Sequence, residues 1–215
     1  MGDRFVRGVG DGVGWARPRL GEAGRAPVAE SLPLTDRHAP DWPGRLNLTK
    51  DNLIGSGQEG SVYRLDAGRC IKIARRRKPL RDEIIAMRQG QPCPHFPRLY
   101  AWGPDYIIRQ YIDGVRLSQH LDEHGLSREV ARQLISIFIW LRRLGFKRID
   151  MRLQHIIYSG ARLFIIDPAN LNKEDDPFPR KAWKALRKRG LGADFRRYVA
   201  LLAPALYIEW KRKLD

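Results

Sequence analysis

Residues 52–74 read NLIGSGQEGSVYRLDAGRCIKIA, and this stretch decides the predicted fold. Its glycines Gly55, Gly57 and Gly60 have the spacing G-x-G-x-x-G. In a dinucleotide-binding loop a helix follows this spacing. Here residues 61–65 (SVYRL) follow, and their β-branched and aromatic side chains favour a strand. We therefore predict a glycine loop between two antiparallel strands, where glycine lets the backbone lie close to a bound group and leaves its N–H donors open.

The next predicted strand carries a lysine, Lys72, between two isoleucines. A lysine ammonium in such a place needs an anionic partner, because an unpaired buried charge is costly. Glu83 is the partner we expect, since it lies in a predicted helix one turn before Met87, on the same helix face. Asp82 is the rival carboxylate, and a surface lysine with an exposed ion pair is the alternative interpretation.

The remaining pattern places strands first and helices later. Five strands and one helix are predicted in the first half, then an extended segment at 110–114, then mainly helices. Ser127 is the predicted N-cap of the longest helix, which runs to Gly145. This order predicts an α+β fold with two lobes and a cleft between them. The other predicted elements are a helix over 81–90, strands over 97–103 and 106–112, a strand pair over 155–158 and 162–166, and helical structure from 178 to 215.

The N-terminal region differs in composition from the rest of the chain. Residues 1–46 are rich in Gly, Pro, Arg and Asp without sustained periodicity, which predicts a disordered tail. The 215-residue chain has a formal net charge of +16, yet residues 1–46 carry 7 basic and 6 acidic side chains. The positive excess therefore lies in residues 47–215. It favours an anionic partner, and a solvated basic surface is the alternative.

Cysteine content and hydropathy bear on the expected location. Cys70 and Cys93 are the only cysteines, too few for a disulfide framework, which favours a reducing compartment. The longest apolar stretches, 134–141 and 198–208, are shorter than the roughly 20 residues that cross a bilayer. We therefore expect a cytoplasmic protein with no membrane span.

Two later segments carry polar residues next to the predicted strand pair. Residues 148–157 read RIDMRLQHII, and residues 164–169 read FIIDPA. Together with the glycine loop, Lys72 and Glu83, these segments resemble the protein kinase superfamily over about residues 50–170. The chain is more similar to short bacterial protein-kinase-like proteins and RIO-type kinases than to full-length eukaryotic enzymes.

The resemblance implies a bilobal kinase-like domain over residues 47–215. It places a β-rich N-lobe with one helix at about 47–110, a hinge at about 110–114 and a shortened helical C-lobe at about 115–215. It also implies ATP and either Mg²⁺ or Mn²⁺ as cofactors. The expected activity is that of a minimal serine/threonine protein kinase, which transfers the γ-phosphoryl group of ATP to a hydroxyl.

Four residues of the later segments receive roles from the resemblance. Asp150 matches the catalytic-loop aspartate that accepts or orients the proton of the substrate hydroxyl. Arg152 stands where serine/threonine kinases have a lysine that steadies the transferring phosphoryl group. Asp167 matches the aspartate that holds the metal, and His155 stands at the position of the second metal ligand.

The earlier segments receive the nucleotide-binding roles. Lys72 would hold the α- and β-phosphates, and Glu83 would position it. The segment 110–114 would be the hinge beside the adenine. The nucleotide-binding residues implied in this way are Gly55, Gly57, Gly60, Val62, Lys72, Glu83, Gln110 and Ile112.

The chain departs from the family pattern at several positions. His155 replaces the usual asparagine, Arg148 replaces the usual loop histidine, and Pro168 follows Asp167 in place of phenylalanine. Only 48 residues follow Asp167, so most of the platform that binds a peptide substrate is missing. Three alternatives therefore stay open: a small-molecule phosphotransferase of the same superfamily, a pseudokinase that serves as a nucleotide-binding scaffold, and a nucleic-acid-binding module.

The C-terminal region is strongly basic. Residues 180–190 read RKAWKALRKRG, which predicts a basic helix with an apolar stripe at Trp183 and Leu186, ending at Gly190. Contact between the basic C-lobe and nucleic acid or another polyanion is one interpretation. A solvated outer face that covers the helical lobe is the other.

Overall fold

The computed structural model describes residues 46, 48–160, 162–173 and 176–215. The predicted disordered tail, residues 1–46, lies outside this part of the chain except for its last residue. The described residues form antiparallel sheets and six α-helices, so the expected mixture of strands and helices is confirmed. The finer expectation, a bilobal kinase fold, stays a prediction.

A five-stranded sheet occupies the first half of the described chain. Its strands are β1 (Leu53–Ser56), β2 (Gly60–Arg64), β3 (Arg69–Ala74), β4 (Leu99–Trp102) and β5 (Tyr106–Gln110). All neighbouring pairs are antiparallel, in the order β1-β2-β3-β5-β4. The five strands predicted for this half are therefore all present.

One helix, α1 (Arg77–Gly90), packs on this sheet. Its residue Ile84 packs against Ile107 of β5. The sequence prediction that the helix starts at Arg81 is wrong, because α1 includes the preceding turn with Pro79. A proline is tolerated in the first turn of a helix, where its missing N–H has no intrahelical partner in any case.

The second half combines a small sheet with five helices. Strands β6 (Val115–Arg116), β7 (Ile156–Ser159) and β8 (Arg162–Ile165) form a three-stranded antiparallel sheet in sequence order. The helices are α2 (Leu117–His124), α3 (Arg128–Arg143), α4 (Arg180–Lys188), α5 (Gly192–Leu202) and α6 (Pro204–Leu214). As predicted, Ser127 caps α3, and its side chain accepts a hydrogen bond from the Val130 N–H.

The largest apolar core lies among the helices of the second half. Phe138 of α3 packs edge-on against Trp210 of α6, with ring centroids 6.0 Å apart. Phe178, just before α4, contacts the same indole at 5.5 Å. These contacts fix α4 and α6 beside α3. Helix α4 also contacts Asp150.

Two findings bear on the expected compartment. Cys70 and Cys93 are both buried and unpaired. Within the part of the chain that the structure describes, no helix combines the length and apolar character needed to cross a membrane.

Candidate active site

The central contact of the site joins β3 to α1. The Lys72 Nζ lies 2.5 Å from the Glu83 Oε2, and the Lys72 side chain is only 11% exposed. The predicted partner is therefore the residue that contacts the lysine. The rival, Asp82, lies instead 3.9 Å from the ammonium of Lys173. The surface-lysine alternative does not fit this buried pair.

The hairpin of β7 and β8 brings two more predicted residues to the same place. His155 immediately precedes β7, and Asp167 follows β8. The Ile166 N–H donates to the His155 carbonyl at 2.9 Å, which closes the base of the hairpin. As a result, the His155 Nδ1 lies 3.5 Å from the Asp167 Oδ2.

These residues meet in one cluster of carboxylates. One oxygen each from Glu59, Glu83 and Asp167 lie within 4.8 Å of one another. Glu59 also approaches Lys72, with its Oε2 3.6 Å from the lysine Nζ. Sequence reasoning missed Glu59, because it occupies a variable position of the glycine loop.

A second missed residue, Arg109, lies behind the cluster. Arg109 is buried in β5, and its Nη1 donates to the Ile166 carbonyl at 2.8 Å. Its charge lowers the pKa of the Glu83 carboxyl, against the raising effect of burial. An arginine that directly follows two isoleucines in a predicted strand is the signal that could have found it.

The segment after Asp167 is also tied to α1. The Asn172 side-chain amide donates to the Gln89 Oε1 at 2.8 Å. Since α1 carries Glu83, this bond helps to hold Glu83 and Asp167 at a fixed separation.

The environment of the cluster shifts three of its pKa values. Burial lowers the pKa of Lys72, but Glu83, Asp167 and Glu59 raise it more, so the pKa lies above its ordinary 10.5 and the lysine is charged at neutral pH. Burial raises the pKa of the Glu83 carboxyl, although the neighbouring cations oppose this. Burial lowers the pKa of His155 below 6.5 despite the pull of Asp167, so its imidazole is neutral at pH 7.

The donor set of the cluster fits a divalent metal ion. Glu83 Oε1 and Asp167 Oδ1 are buried oxygens without a hydrogen-bond partner. Carboxylate oxygens suit Mg²⁺ and Mn²⁺. The neutral imidazole of His155, the other predicted ligand, can add a nitrogen donor, which Mn²⁺ accepts more readily than Mg²⁺.

The predicted catalytic residues of the loop lie in a different environment. Asp150 is buried, and its Oδ1 accepts a hydrogen bond from the Lys181 backbone N–H at 2.5 Å. The Lys181 Nζ lies 3.3 Å from the other carboxylate oxygen. Asp150 thus caps the first turn of α4, and Arg152 is exposed. The contact with Lys181 was not predicted from the sequence.

The glycines of the loop differ in what surrounds them. In Gly60, a Cβ atom would lie 2.1 Å from the Ile73 carbonyl oxygen, so the fold itself requires glycine there. At Gly55 and Gly57 a Cβ would meet no atom within 4 Å. Packing within the described part of the chain therefore does not explain the glycines at these two positions.

Three other predicted nucleotide-binding residues lie in or next to strands β2 and β5. Val62 pairs with Lys72 in the sheet register and is half-buried. Gln110 ends β5, where its N–H donates to the Arg98 carbonyl at 2.8 Å, and Ile112 follows, half-buried. The nucleotide-binding roles of Val62, Gln110 and Ile112 stay predictions.

The basic C-terminal helix has the predicted two faces. Trp183 and Leu186 are buried, and the basic residues of α4 point outward. The Lys213 Nζ of α6 lies 5.4 Å from the centre of the Phe178 ring, just before α4. Among the basic side chains of α4, that of Lys181 contacts Asp150.

Comparison with known proteins assigns no family. No model of a known protein family matches the chain, and no curated protein matches it significantly. The function is therefore inferred from the geometry of the site.

Proposed function

We propose that this chain is a small kinase-like phosphotransferase that binds ATP together with Mg²⁺ or Mn²⁺. One observation carries the proposal: Lys72, Glu83 and Asp167, from three separate segments, meet in one cluster. A lysine paired with a helix glutamate and facing a metal-binding aspartate is the arrangement that holds nucleotide phosphates in kinases. In this proposal, β1 to β5 with α1 form an N-lobe and the later elements form a shortened C-lobe.

The roles follow from the positions of the side chains. Lys72, charged at neutral pH, would hold the α- and β-phosphates, and buried Glu83 would keep its ammonium in place. Asp167 and His155 would hold the metal ion, which neutralises the phosphate charge when it is bound. The loop at Gly55 and Gly57 would lie over the phosphates, since glycine lets the backbone approach a bound group closely and no described atom lies within 4 Å of where a Cβ would stand.

The proposed chemical step is an in-line phosphoryl transfer. The acceptor hydroxyl oxygen forms a bond to the γ-phosphorus as the bond to the β–γ bridging oxygen breaks, so ADP leaves with the electron pair. The proton of the hydroxyl passes to the Asp150 carboxylate. Lys181, at 3.3 Å from Asp150, and the exposed Arg152 would supply positive charge near the transferring group.

A second candidate is a nucleotide-binding scaffold without transfer activity. The observation that favours it is the double contact of Asp150 with Lys181, which gives the carboxylate a structural role at the start of α4. If Asp150 serves only as a helix cap, ATP binding would persist and transfer would not.

The class of molecule that accepts the phosphoryl group and the location of the protein in the cell are also part of the proposal. A serine or threonine of a protein and a small-molecule hydroxyl are both compatible with the proposed step. The outward basic face of α4, next to Asp150, supports contact with a polyanion, including nucleic acid. The cytoplasmic location expected from the cysteine content is part of the proposal.

The test uses ATP binding and phosphoryl transfer on the full chain. We expect ATP with Mg²⁺ or Mn²⁺ to raise the melting temperature of the parent and of Lys188→Met, a control at an exposed lysine of α4. Lys72→Met should lose this increase. Labelled ATP then separates the two candidates, since only a phosphotransferase moves label to itself or to an added acceptor. An equal ATP-induced shift in the parent and in Lys72→Met would contradict the proposal.

A further inference from the structure

The ammonium of Lys72 lies between two carboxylates of very different exposure. Glu83, at 2.5 Å, has a side chain that is 1% exposed, whereas Glu59, at 3.6 Å, is 46% exposed. Glu83 thus contacts the ammonium from inside the fold and Glu59 from the side of the solvent. An anion that approaches Lys72 from solvent therefore meets Glu59 first.

The backbone at Glu59 is held in place. The Arg75 N–H donates to the Glu59 carbonyl at 3.0 Å, and the Gly57 N–H donates to the Gly60 carbonyl at 2.9 Å. These bonds fix the loop against the end of β3. Rotation of the Glu59 side chain alone is enough to break the contact between Glu59 and Lys72, with no change in the backbone.

The cluster carries more negative than positive charge. Its carboxylates are those of Glu59, Glu83 and Asp167, and the cations that face them are Lys72 and Arg109. Two further arginines near the cluster, Arg116 and Arg152, are exposed and screened by solvent. The side chain of Glu59 is the most exposed of these three carboxylates, so it is the one that opposes the entry of phosphate from solvent.

We propose that Glu59 occupies the position of a nucleotide phosphate on Lys72 and thereby makes nucleotide binding depend on a divalent cation. Without a cation, phosphate has to displace one carboxylate and approach two others. With a cation on Asp167, the added positive charge offsets this repulsion, and Glu59 leaves Lys72 to the phosphate. This inference depends on the proposed nucleotide site and adds a cation requirement that the site residues alone do not impose.

The exposure of Glu59 suits such a role. An ion pair at a half-exposed carboxylate is weak and screened by water, so a phosphate group can replace it. A buried carboxylate such as Glu83 could not move aside in this way, because it has no path to solvent.

The test compares ATP affinity with and without a divalent cation. Dissociation constants for ATP are measured by calorimetry on the full chain in EDTA and in excess Mg²⁺ or Mn²⁺. The variants are Glu59→Gln, which keeps the size of the side chain, and Glu209→Gln, which removes a similarly exposed carboxylate paired with Arg142 far from the loop. Melting temperatures without ligand show that each variant is folded.

We expect Glu59→Gln to bind ATP about tenfold more tightly than the parent in EDTA, because one nearby negative charge is gone. With the cation present, the parent and Glu59→Gln should bind ATP with equal affinity. The ATP affinity of Glu209→Gln should equal that of the parent in EDTA and with the cation. Equal affinity of the parent and Glu59→Gln in EDTA would overturn the inference while leaving the nucleotide site intact. Weaker binding of Glu59→Gln with the cation would overturn it too, since Glu59 would then be a ligand. If ATP binds under none of these conditions, the proposed function fails as well.

Discussion

Two lysine–carboxylate pairs lie in the candidate active site, and their surroundings differ. Lys72 and Glu83 join β3 to α1, and two further carboxylates, those of Glu59 and Asp167, lie nearby. One oxygen of Glu83 and one of Asp167 are buried without a hydrogen-bond partner. Asp150 and Lys181 join the loop before β7 to the start of α4, and both oxygens of Asp150 are engaged by Lys181. Around the first pair, carboxylate oxygens without a hydrogen-bond partner are available to a ligand. In the second pair, both oxygens of Asp150 already contact Lys181.

The difference separates two parts of the proposed activity. The region around Lys72 has the features of a site prepared for phosphate and metal. The region around Asp150 must supply the proton acceptor for transfer, yet the same carboxylate stabilises a helix. Binding of ATP is therefore the better supported half of the proposal, and transfer depends on whether Asp150 serves both roles.

The largest expected effect is on the rate of transfer in Asp150→Asn. Asparagine keeps a side-chain oxygen for the Lys181 N–H, so α4 keeps its cap, but it cannot accept the substrate proton. We expect transfer to fall by about 10²–10⁴-fold while ATP binding is unchanged. The assay measures transfer of label from ATP, with Asp194→Asn, an exposed carboxylate of α5, as the control. An undiminished rate in Asp150→Asn would show that the residue is only a cap.

The next effect is on stability, in Lys72→Met. This change leaves the buried Glu83 carboxylate without its cation, and breaking a buried pair in this way costs about 3 kcal/mol. Urea unfolding should show that loss in the free energy of unfolding. The double variant Lys72→Met with Glu83→Gln should recover most of it, because no buried charge is then unpaired. A loss below about 1 kcal/mol in the single variant would mean that the pair behaves like a surface ion pair.

A smaller effect is expected for Lys181→Met, the matched change in the second pair. Its side chain is 45% exposed, and the backbone N–H still bonds Asp150 after the substitution. The free energy of unfolding should therefore fall by about 1 kcal/mol or less. An equal loss of unfolding free energy in Lys181→Met and Lys72→Met, measured under the same conditions, would show that the two pairs contribute equally to stability.

The contrast between the pairs also shows what the sequence could and could not predict. Lys72, Glu83 and the glycine loop were predictable because strand alternation and helical spacing fix which face each side chain shares. His155 and Asp167 were predictable as neighbours because they flank one hairpin. The predictions of these residues depended on local geometry, or on a resemblance to a family in the order and spacing of its motifs.

The missed residues depend on contacts between distant segments. Lys181 reaches Asp150 only because α4 packs beside the loop, and the sequence of a basic helix does not mark the distant residue that caps it. Glu59 points at Lys72 because its backbone bonds to Arg75, and spacing does not reveal this direction. The start of α1 was missed because a basic run with a proline suggests a loop, while packing on the sheet favours helix.

The smallest expected effect concerns pH and His155. Because burial lowers its pKa below 6.5, the imidazole is neutral and able to bind metal at pH 7, and protonation at lower pH removes that donor. The metal-dependent part of the ATP-induced melting shift should thus be constant from pH 8 to pH 7 and decrease only below 6.5.

The variant His155→Asn should remove this pH dependence and move the preference from Mn²⁺ toward Mg²⁺, since an amide oxygen is a harder donor than imidazole. His120→Asn, at a second buried histidine, is the control. An unchanged pH dependence and an unchanged metal preference in His155→Asn would show that His155 is a packed residue and no ligand.

The most direct test of the central claim is a crystal structure of the full chain with a non-hydrolysable ATP analogue and Mn²⁺. We predict an anomalous Mn²⁺ signal beside the Asp167 carboxylate, with analogue phosphate oxygens within hydrogen-bond distance of the Lys72 ammonium. Glu83 should keep its contact with Lys72. A bound analogue elsewhere on the chain, or Mn²⁺ away from Asp167, would contradict the account.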